Sequence, residues 1–159
     1  MVAWAQDNLN GAWGLQSLNK PLTYYPAGNA NREVICNRSG AGKFVSMGKA
    51  IGGNDGSTDS CDEYPFASTD QSAAQHGVHN GGACAQVEAY EPSPGGPHGP
   101  KYLAKNWSAV RPIGKYSKKA LCVRGHIPAA LNSLEGSRFS SFITAVRLLN
   151  KDEFFVKVF

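Results

Sequence analysis

The sequence predicts a loop-rich α+β fold in a single domain, and three observations support this. Several segments alternate apolar and polar residues as half-buried strands do, and one segment near the C-terminus has the apolar spacing of an amphipathic helix. Eighteen glycines and nine prolines among 159 residues indicate many irregular connections. This length suits one domain with a sizeable core, so we assign residues 1–159 to one domain.

The first predicted elements lie in the N-terminal third of the chain. PLTYY, residues 21–25, has the composition of a short strand, and REVICNR, residues 32–38, alternates apolar and polar side chains like a second strand. GKFVSMGKAIGG, residues 42–53, predicts a short helix that ends at a glycine pair. The polar segment 54–60 predicts a loop.

The central region combines one strand with irregular segments. ACAQVEAY, residues 83–90, alternates small apolar residues with polar ones and predicts a half-buried strand. EPSPGGPHGP, residues 91–100, contains too much proline and glycine for regular structure, so we expect a surface loop. Residues 101–119 show no clear periodicity.

The C-terminal region has the clearest pattern. Four apolar residues spaced at i, i+3, i+4 and i+7 predict an amphipathic helix over 136–149: Phe139, Phe142, Ile143 and Val146. NKD, residues 150–152, predicts a turn, and EFFVKVF, residues 153–159, predicts a terminal strand.

Charge and hydropathy narrow the classes of function. The formal net charge is +4 and the sequence pI is about 8.9, which is compatible with a polyanionic partner. No apolar run reaches the length of a membrane span, and the opening residues lack the pattern of a signal peptide. We therefore expect a mature secreted protein or a domain of a longer protein, with no membrane partner.

Four cysteines are spread along the chain without a C-x-x-C pair, which argues against a zinc ribbon. In a glycine-rich chain they suggest two disulfides and an oxidising compartment, and four buried thiols are the alternative. Three pairings are open for the candidates Cys36, Cys61, Cys84 and Cys122.

Two adjacent carboxylates, Asp62 and Glu63, stand beside an apolar Tyr-Pro-Phe segment. Pro65 has a fixed φ and restricts the residue before it, so the two acids lie on a stiff backbone. One carboxylate can bind a divalent metal while the other takes a proton from water. The alternative is a solvated turn with two surface acids, which the spacing alone favours.

Residues near the predicted C-terminal helix offer further candidates. Asn132 lies just before that helix, where an asparagine can cap the helix or give its amide oxygen to a hard cation. The segment RGH, residues 124–126, directly precedes it and can face a phosphate. The residues from Lys101 to Arg124 combine lysine and arginine with aromatic residues, as phosphate-binding and base-stacking surfaces do. A solvated basic face explains the same composition.

Four motifs occur in the order CDEYPFAST, GGACAQVEAY, NSLEGSRFSSF and KDEFFVKVF. Together with EVICNR they resemble the NucA/NucB-type deoxyribonucleases, small bacterial endonucleases that are secreted or associated with toxins. The resemblance covers roughly residues 33–159 and leaves residues 1–32 as an N-terminal extension. Some relatives carry acids before the Gly-Gly-Ala segment, where this chain has His79 and Asn80.

The resemblance implies a small antiparallel sheet with a ββα-metal nuclease motif and a loop-rich periphery. It implies that Asp62 and Glu63 supply the base and part of the metal site, in an order left open, and that Asn132 binds one Mg²⁺ or Mn²⁺ ion. His126 is a further catalytic candidate. The candidates for phosphate or DNA contacts are Arg124, Arg147, Ser137, Lys118 and Lys119.

The resulting hypothesis is a monomeric, metal-dependent endonuclease that contacts the DNA backbone and has little sequence preference. It is either a secreted enzyme or the toxin domain of a larger protein. A toxin domain implies an immunity protein as partner, which would be acidic if it mimics DNA. The alternatives are an inactive nucleic-acid-binding module and a disulfide-stapled extracellular domain.

Overall fold

The computed structural model describes residues 1–37, 39–48, 58–90 and 109–158. The surface loop expected over 91–100 lies outside these residues. The same holds for residues 101–108 of the basic aromatic run and for residues 49–57.

The described residues form three helices and six strands, together with short 3-10 turns. The helices are α1 (Val2–Asn8), α2 (Gly28–Ile35) and α3 (Ala129–Val146). The strands are β1 (Leu22–Thr23), β2 (Asp59–Tyr64), β3 (Ala85–Tyr90), β4 (Ala109–Pro112), β5 (Val123–Pro128) and β6 (Glu153–Phe154). None of these helices is both long and apolar enough to cross a membrane.

The main sheet has four strands in the order β2-β5-β3-β4, and β1 pairs with β6 in a separate two-stranded ribbon. β2 runs antiparallel to β5, β3 runs antiparallel to β4, and β3 runs parallel to β5. The sheet is therefore mixed, although the resemblance implied an antiparallel one. Since β5 continues directly into α3, the elements β2, β5 and α3 form a ββα unit, and the α+β prediction is confirmed.

The four-stranded sheet has two different faces, because successive side chains of a strand point to opposite sides. The core face carries apolar residues that pack with α1, β1 and β6: Tyr64, Ala85, Val87 and Val123. The polar face carries the residues between them: Asp59, Cys61, Glu63, Gln86, Glu88, Arg124 and His126. The apolar residues predicted to face inward from residues 83–90 are buried on the core face, so this strand prediction is confirmed.

The four cysteines form two disulfides, as expected from their number and spread. Cys36 pairs with Cys61, and Cys84 pairs with Cys122. The first bond ties the end of α2 to β2. The second lies in a small apolar cluster with Ile35 of α2.

One prediction for the N-terminal half is wrong, and a second is contradicted over residues 42–47 only. Residues 32–37 do not form a strand, because α2 ends at Ile35 and buries Asn31 and Ile35, which are one helical turn apart. The short apolar–polar alternation in this segment is also compatible with a helix. Residues 42–47 form no helix, and the backbone N–H of Met47 and the carbonyl of Gly42 bond instead to side chains of the polar face. Residues 49–53 of the predicted helix lie outside the described residues.

The C-terminal helix exists but begins at Ala129, seven residues before the predicted start. Pro128 precedes the first turn, and Ala129 and Ala130 are strong helix formers. Asn132 consequently lies inside α3 and is not a cap. The turn at 150–152 is confirmed, but the terminal strand is only the two residues of β6.

Candidate active site

The pleat of β2 separates the two neighbouring acids. Asp62 lies opposite Gly125 of β5, and Glu63 lies opposite Arg124. Asp62 therefore belongs to the core face and Glu63 to the polar face. The two carboxylates do not converge on one point, and each has to be assessed with its own neighbours.

Helix α3 packs against β2 beside Asp62. The Nδ2 group of Asn132 donates hydrogen bonds to Ser60 Oγ at 2.9 Å and to the carbonyl oxygen of Cys61 at 2.7 Å. Ser60 shares the core face with Asp62, because the two residues are two positions apart on the strand. Both N–H protons of the amide are used in these bonds, so Oδ1 is the atom of Asn132 that remains for a ligand.

A third polar residue, Glu135, follows Asn132 by one turn of α3 and was not identified from the sequence. Burial raises the pKa of Asp62, and the charge of Glu135 adds to this rise, while the N-terminal ammonium group, Arg32 and the backbone N–H of Glu63 oppose it. The Glu135 carboxylate is exposed and accepts a bond of 2.8 Å from Arg138. The i, i+3 spacing from Asn132 is the sequence signal that could have found it.

The helix leaves space next to these residues. Gly136 follows Asn132 by four positions and lies on the same side of α3 as Phe139, which packs against the core. A Cβ atom at Gly136 would meet nothing within 4 Å. Ser137 is exposed, and its hydroxyl donates to the carbonyl of Ser133 at 2.9 Å. We call the region bounded by Asp62, Asn132, Glu135 and Gly136 the β2–α3 cleft.

The ligand atoms of the β2–α3 cleft fit a hard divalent cation. Asp62 and Glu135 offer carboxylate oxygens and Asn132 offers an amide oxygen, and Mg²⁺ and Mn²⁺ prefer such oxygen ligands. Burial is the main cause of the raised pKa of Asp62, and the smaller contribution from the charge of Glu135 is relieved when a cation lies between the two carboxylates.

Another group of ligand atoms does not fit a metal. The Sγ atoms of Cys36 and Cys61 and a carboxylate oxygen of Glu63 lie within 4.8 Å of one another. Both sulfur atoms are joined in a disulfide, so neither is a thiolate. We therefore do not assign a metal site here.

Glu63 instead takes part in the contacts that hold α2 against β2. Nη1 of Arg32 lies 2.9 Å from Oε2 and 3.2 Å from Oε1 of Glu63, and Nη2 donates to the carbonyl of Cys61 at 2.7 Å. Burial raises the pKa of Glu63 to about 7, although Arg32 opposes the rise. Arg32 was not identified from the sequence, because its contact is with a residue 31 positions away.

His126 lies on the polar face, away from Asp62. Its Nδ1 atom is 2.7 Å from Oδ2 of Asp59, both side chains are buried, and Phe44 stacks on the imidazole with ring centroids 4.5 Å apart. Oδ2 of Asp59 also accepts a bond of 2.7 Å from the N–H of Met47. The structure thus brings His126 to Asp59 and to residues 44–47, and not to the β2–α3 cleft.

Arg124 is buried on the same polar face. Its Nη1 donates to the carbonyl of Gly42 at 2.6 Å, and its Nε donates to Oε1 of Gln86 at 2.8 Å. Burial lowers the pKa of Arg124. The guanidinium group connects the sheet to the segment around Gly42 and does not reach the β2–α3 cleft.

The other predicted cationic residues are exposed and lie elsewhere. Arg147 adopts a left-handed conformation at the end of α3, which places it about 22 Å along the helix axis from Asn132. Lys118 and Lys119 lie in the turn before β5. None of the three adjoins Asn132 along α3.

Comparison with known proteins gives one match. The model of the family described as Deoxyribonuclease NucA/NucB matches residues 12–93, just over half of the chain. The matched region contains β2 with Asp62 and Glu63, includes residues 12–32 of the N-terminal extension, and ends before β5 and α3. No curated protein and no solved structure matches the chain.

Proposed function

The chain belongs to the deoxyribonuclease NucA/NucB family, and we propose that it is a metal-dependent endonuclease that cuts DNA in the β2–α3 cleft. One observation carries this proposal. Helix α3 brings Asn132 against the strand that bears Asp62, through two hydrogen bonds to Ser60 and Cys61. The cleft thereby joins the matched region to a helix outside it.

Asp62 is the general base in this proposal. Its carboxylate has two oxygen atoms, so one can bind the ion while the other accepts a proton from the attacking water. Asn132 and Glu135, together with Asp62, would hold one Mg²⁺ or Mn²⁺ ion. When bound, this ion offsets the negative charge that develops on the phosphate and on the leaving oxygen.

Glu63 has a different role in the proposal, although the sequence predicted that it shares the catalytic work with Asp62. Its contacts with Arg32 and its position on the polar face support a positioning role. Through Arg32 it holds α2 against β2 and so fixes the backbone on which Asp62 stands. The buried pair of His126 and Asp59 supports the neighbouring segment 44–47 in the same way.

The net charge of +4 supports binding of DNA through its phosphate backbone. Contacts to phosphates give little sequence preference. Two disulfides support an oxidising compartment, so we propose a secreted enzyme or an exported toxin domain. An immunity protein is proposed only for the toxin case.

The experiment that tests the proposal is nicking of a supercoiled plasmid with Mg²⁺ or Mn²⁺, with and without EDTA. We expect EDTA to abolish nicking, and we expect Asp62→Asn and Glu135→Gln to lower its rate roughly 10²-fold or more. The matched control is Asp70→Asn, which removes one carboxylate that pairs with Lys151 away from the cleft. Equal nicking by Asp62→Asn and Asp70→Asn would refute the assigned site.

A further inference from the structure

A set of four lysines, which we call the lysine surface, is assembled from two distant segments: Lys20, Lys115, Lys118 and Lys119. The connection runs through Asn10. The backbone N–H of Asn10 donates to the carbonyl of Lys118 at 2.8 Å, and Nζ of Lys20 donates to the carbonyl of Asn10 at 3.0 Å. The ammonium group of Lys20 is thereby held beside the turn that carries Lys118 and Lys119.

The lysine surface is exposed and has an excess of positive charge. All four lysines are exposed, and within the described part of the chain none of them forms an ion pair with a carboxylate. The two segments that build the surface, residues 1–20 and 113–121, contain one acid, Asp7. Such an unneutralised group of cations attracts a polyanion.

Helix α1 connects this surface with the β2–α3 cleft. At its start, Sδ of Met1 lies 2.7 Å from the position of a Cβ atom built on Gly125, the residue opposite Asp62. Towards its end, Oδ1 of Asn8 accepts a bond of 3.2 Å from the hydroxyl of Tyr116. A helix rises 1.5 Å per residue, so the lysine surface lies roughly 10–15 Å from the cleft along α1.

We propose that the lysine surface is a second DNA-binding site, which holds backbone phosphates about three to four nucleotides from the bond that is cut. A strand of duplex DNA places one phosphate every 3.4 Å of axis, so a span of roughly 10–15 Å is covered within this number of nucleotides. The position relative to the cut rests on the proposed function. The binding of DNA by these lysines does not depend on cleavage.

The first test measures DNA binding in the triple variant Lys20→Gln/Lys118→Gln/Lys119→Gln. Both it and the parent protein carry Asp62→Asn and are kept in EDTA, and the anisotropy of a fluorescent 20-base-pair duplex is followed as salt is varied. Each lost phosphate contact reduces the slope of log K against log salt by about 0.9, so we expect a slope that is less negative by roughly 2 to 3.

The matched control is the triple variant Lys43→Gln/Arg111→Gln/Lys151→Gln, which loses the same charge from exposed positions elsewhere. We expect its slope to change by less than about 1. An equal change in both triple variants, or no change in the lysine-surface variant, would overturn the proposal.

The second test separates this proposal from the proposed function. Bis(p-nitrophenyl) phosphate is too small to reach from the cleft to the lysine surface. We expect the lysine-surface variant with native Asp62 to hydrolyse it at the parent rate, while cleavage of long DNA at physiological salt falls roughly 10-fold. Equal loss on both substrates would overturn the second site. Failure of the parent protein on both substrates would refute the nuclease, and the binding test would still decide the lysine surface.

Discussion

Asp62 and Glu63 show how strongly the environment of one residue decides its role. The two acids are neighbours in the chain, but the pleat places Asp62 next to α3 and Glu63 next to Arg32. Burial raises the pKa of both carboxyl groups. Only Glu63 has an arginine within hydrogen-bonding distance among the described residues, so we assign structural work to Glu63 and proton transfer to Asp62.

The pKa of Glu63 makes protein stability depend on pH. Burial raises this pKa from 4.5 to about 7, so the folded protein retains a proton that the unfolded chain has already lost between these values. The free energy of unfolding therefore falls as pH rises from about 5 to about 8, by at most about 3 kcal/mol from this group. Urea unfolding in EDTA at both pH values measures the loss.

The variant Glu63→Gln carries no titrating group at this position, so we expect its stability to change less between the two pH values. The control Glu88→Gln removes an acid that pairs with Arg111 on the same polar face. The Glu88→Gln variant should show the same change of stability between the two pH values as the parent protein. A pH dependence in Glu63→Gln equal to that of the parent would contradict the role of Glu63.

At the scale of the elements, the interior of α3 contains a glycine that its packing does not require. A Cβ atom added to Gly136 would have no neighbouring atom within 4 Å, and glycine lowers helix stability relative to alanine. We expect Gly136→Ala to raise the free energy of unfolding by about 0.5–1 kcal/mol, measured by urea unfolding.

Gly81 is the matched control for this substitution. A Cβ atom there would clash with the carbonyl oxygen of Ile35, so Gly81→Ala should destabilise the protein. If Gly136→Ala also destabilised the protein, α3 would have to pack more closely against its surroundings than the structure shows.

The disulfide between Cys36 and Cys61 holds α2 against β2, together with the contacts of Arg32. It joins residues separated by 25 positions, and closing a loop of this length stabilises a protein by about 3 kcal/mol. We expect Cys36→Ala/Cys61→Ala to lower the urea midpoint of the oxidised protein accordingly. Retention of the parent midpoint would show that Arg32 and Glu63 hold these elements without the covalent bond.

Secondary structure could be predicted from the sequence where the apolar pattern of a strand or helix repeats over enough residues. β3 was found because its alternation agrees with its burial, and the existence of α3 was found from its apolar spacing. α2 was missed because seven residues around Cys36 fit both a strand and a helix. The start of α3 was missed because the residues from Ala129 to Glu135 place little apolar surface in the core, and the helix signal is therefore weak there.

At the scale of the whole molecule, binding of a divalent cation should stabilise the folded state. Asp62, Asn132 and Glu135 come together only after folding, so a metal held by them binds the native protein and not the unfolded chain. At a concentration 100 times the Kd this contributes about 2.7 kcal/mol, or a rise in Tm of roughly 5–10 °C.

Thermal unfolding with increasing Mg²⁺ or Mn²⁺ measures this rise, and EDTA should reverse it. The Asp62→Asn variant should lose most of the metal-dependent rise in Tm, whereas the Glu63→Gln variant should keep it. A full rise in Asp62→Asn would place the metal outside the β2–α3 cleft.

The sequence could single out Asp62 and Asn132 as candidates because both stand in recognisable motifs. It could not pair Asp62 with Glu135 or Glu63 with Arg32, because these contacts join residues that lie far apart in the chain. It also grouped His126 and Arg124 with the candidate catalytic acids, because both lie close to the predicted helix in the sequence. The register of β2 and β5 directs both side chains to the other face.

The order of the strands also decides when the β2–α3 cleft can form. β5 lies between β2 and β3 in the sheet but is synthesised after both, and α3 follows it directly. A growing chain that ends before residue 123 therefore has no strand to join β2 to the rest of the sheet and no Asn132 to complete the cleft. Such non-local pairing also slows folding. If the proposed function is correct, the cutting site therefore forms only after β5 and α3 have been synthesised.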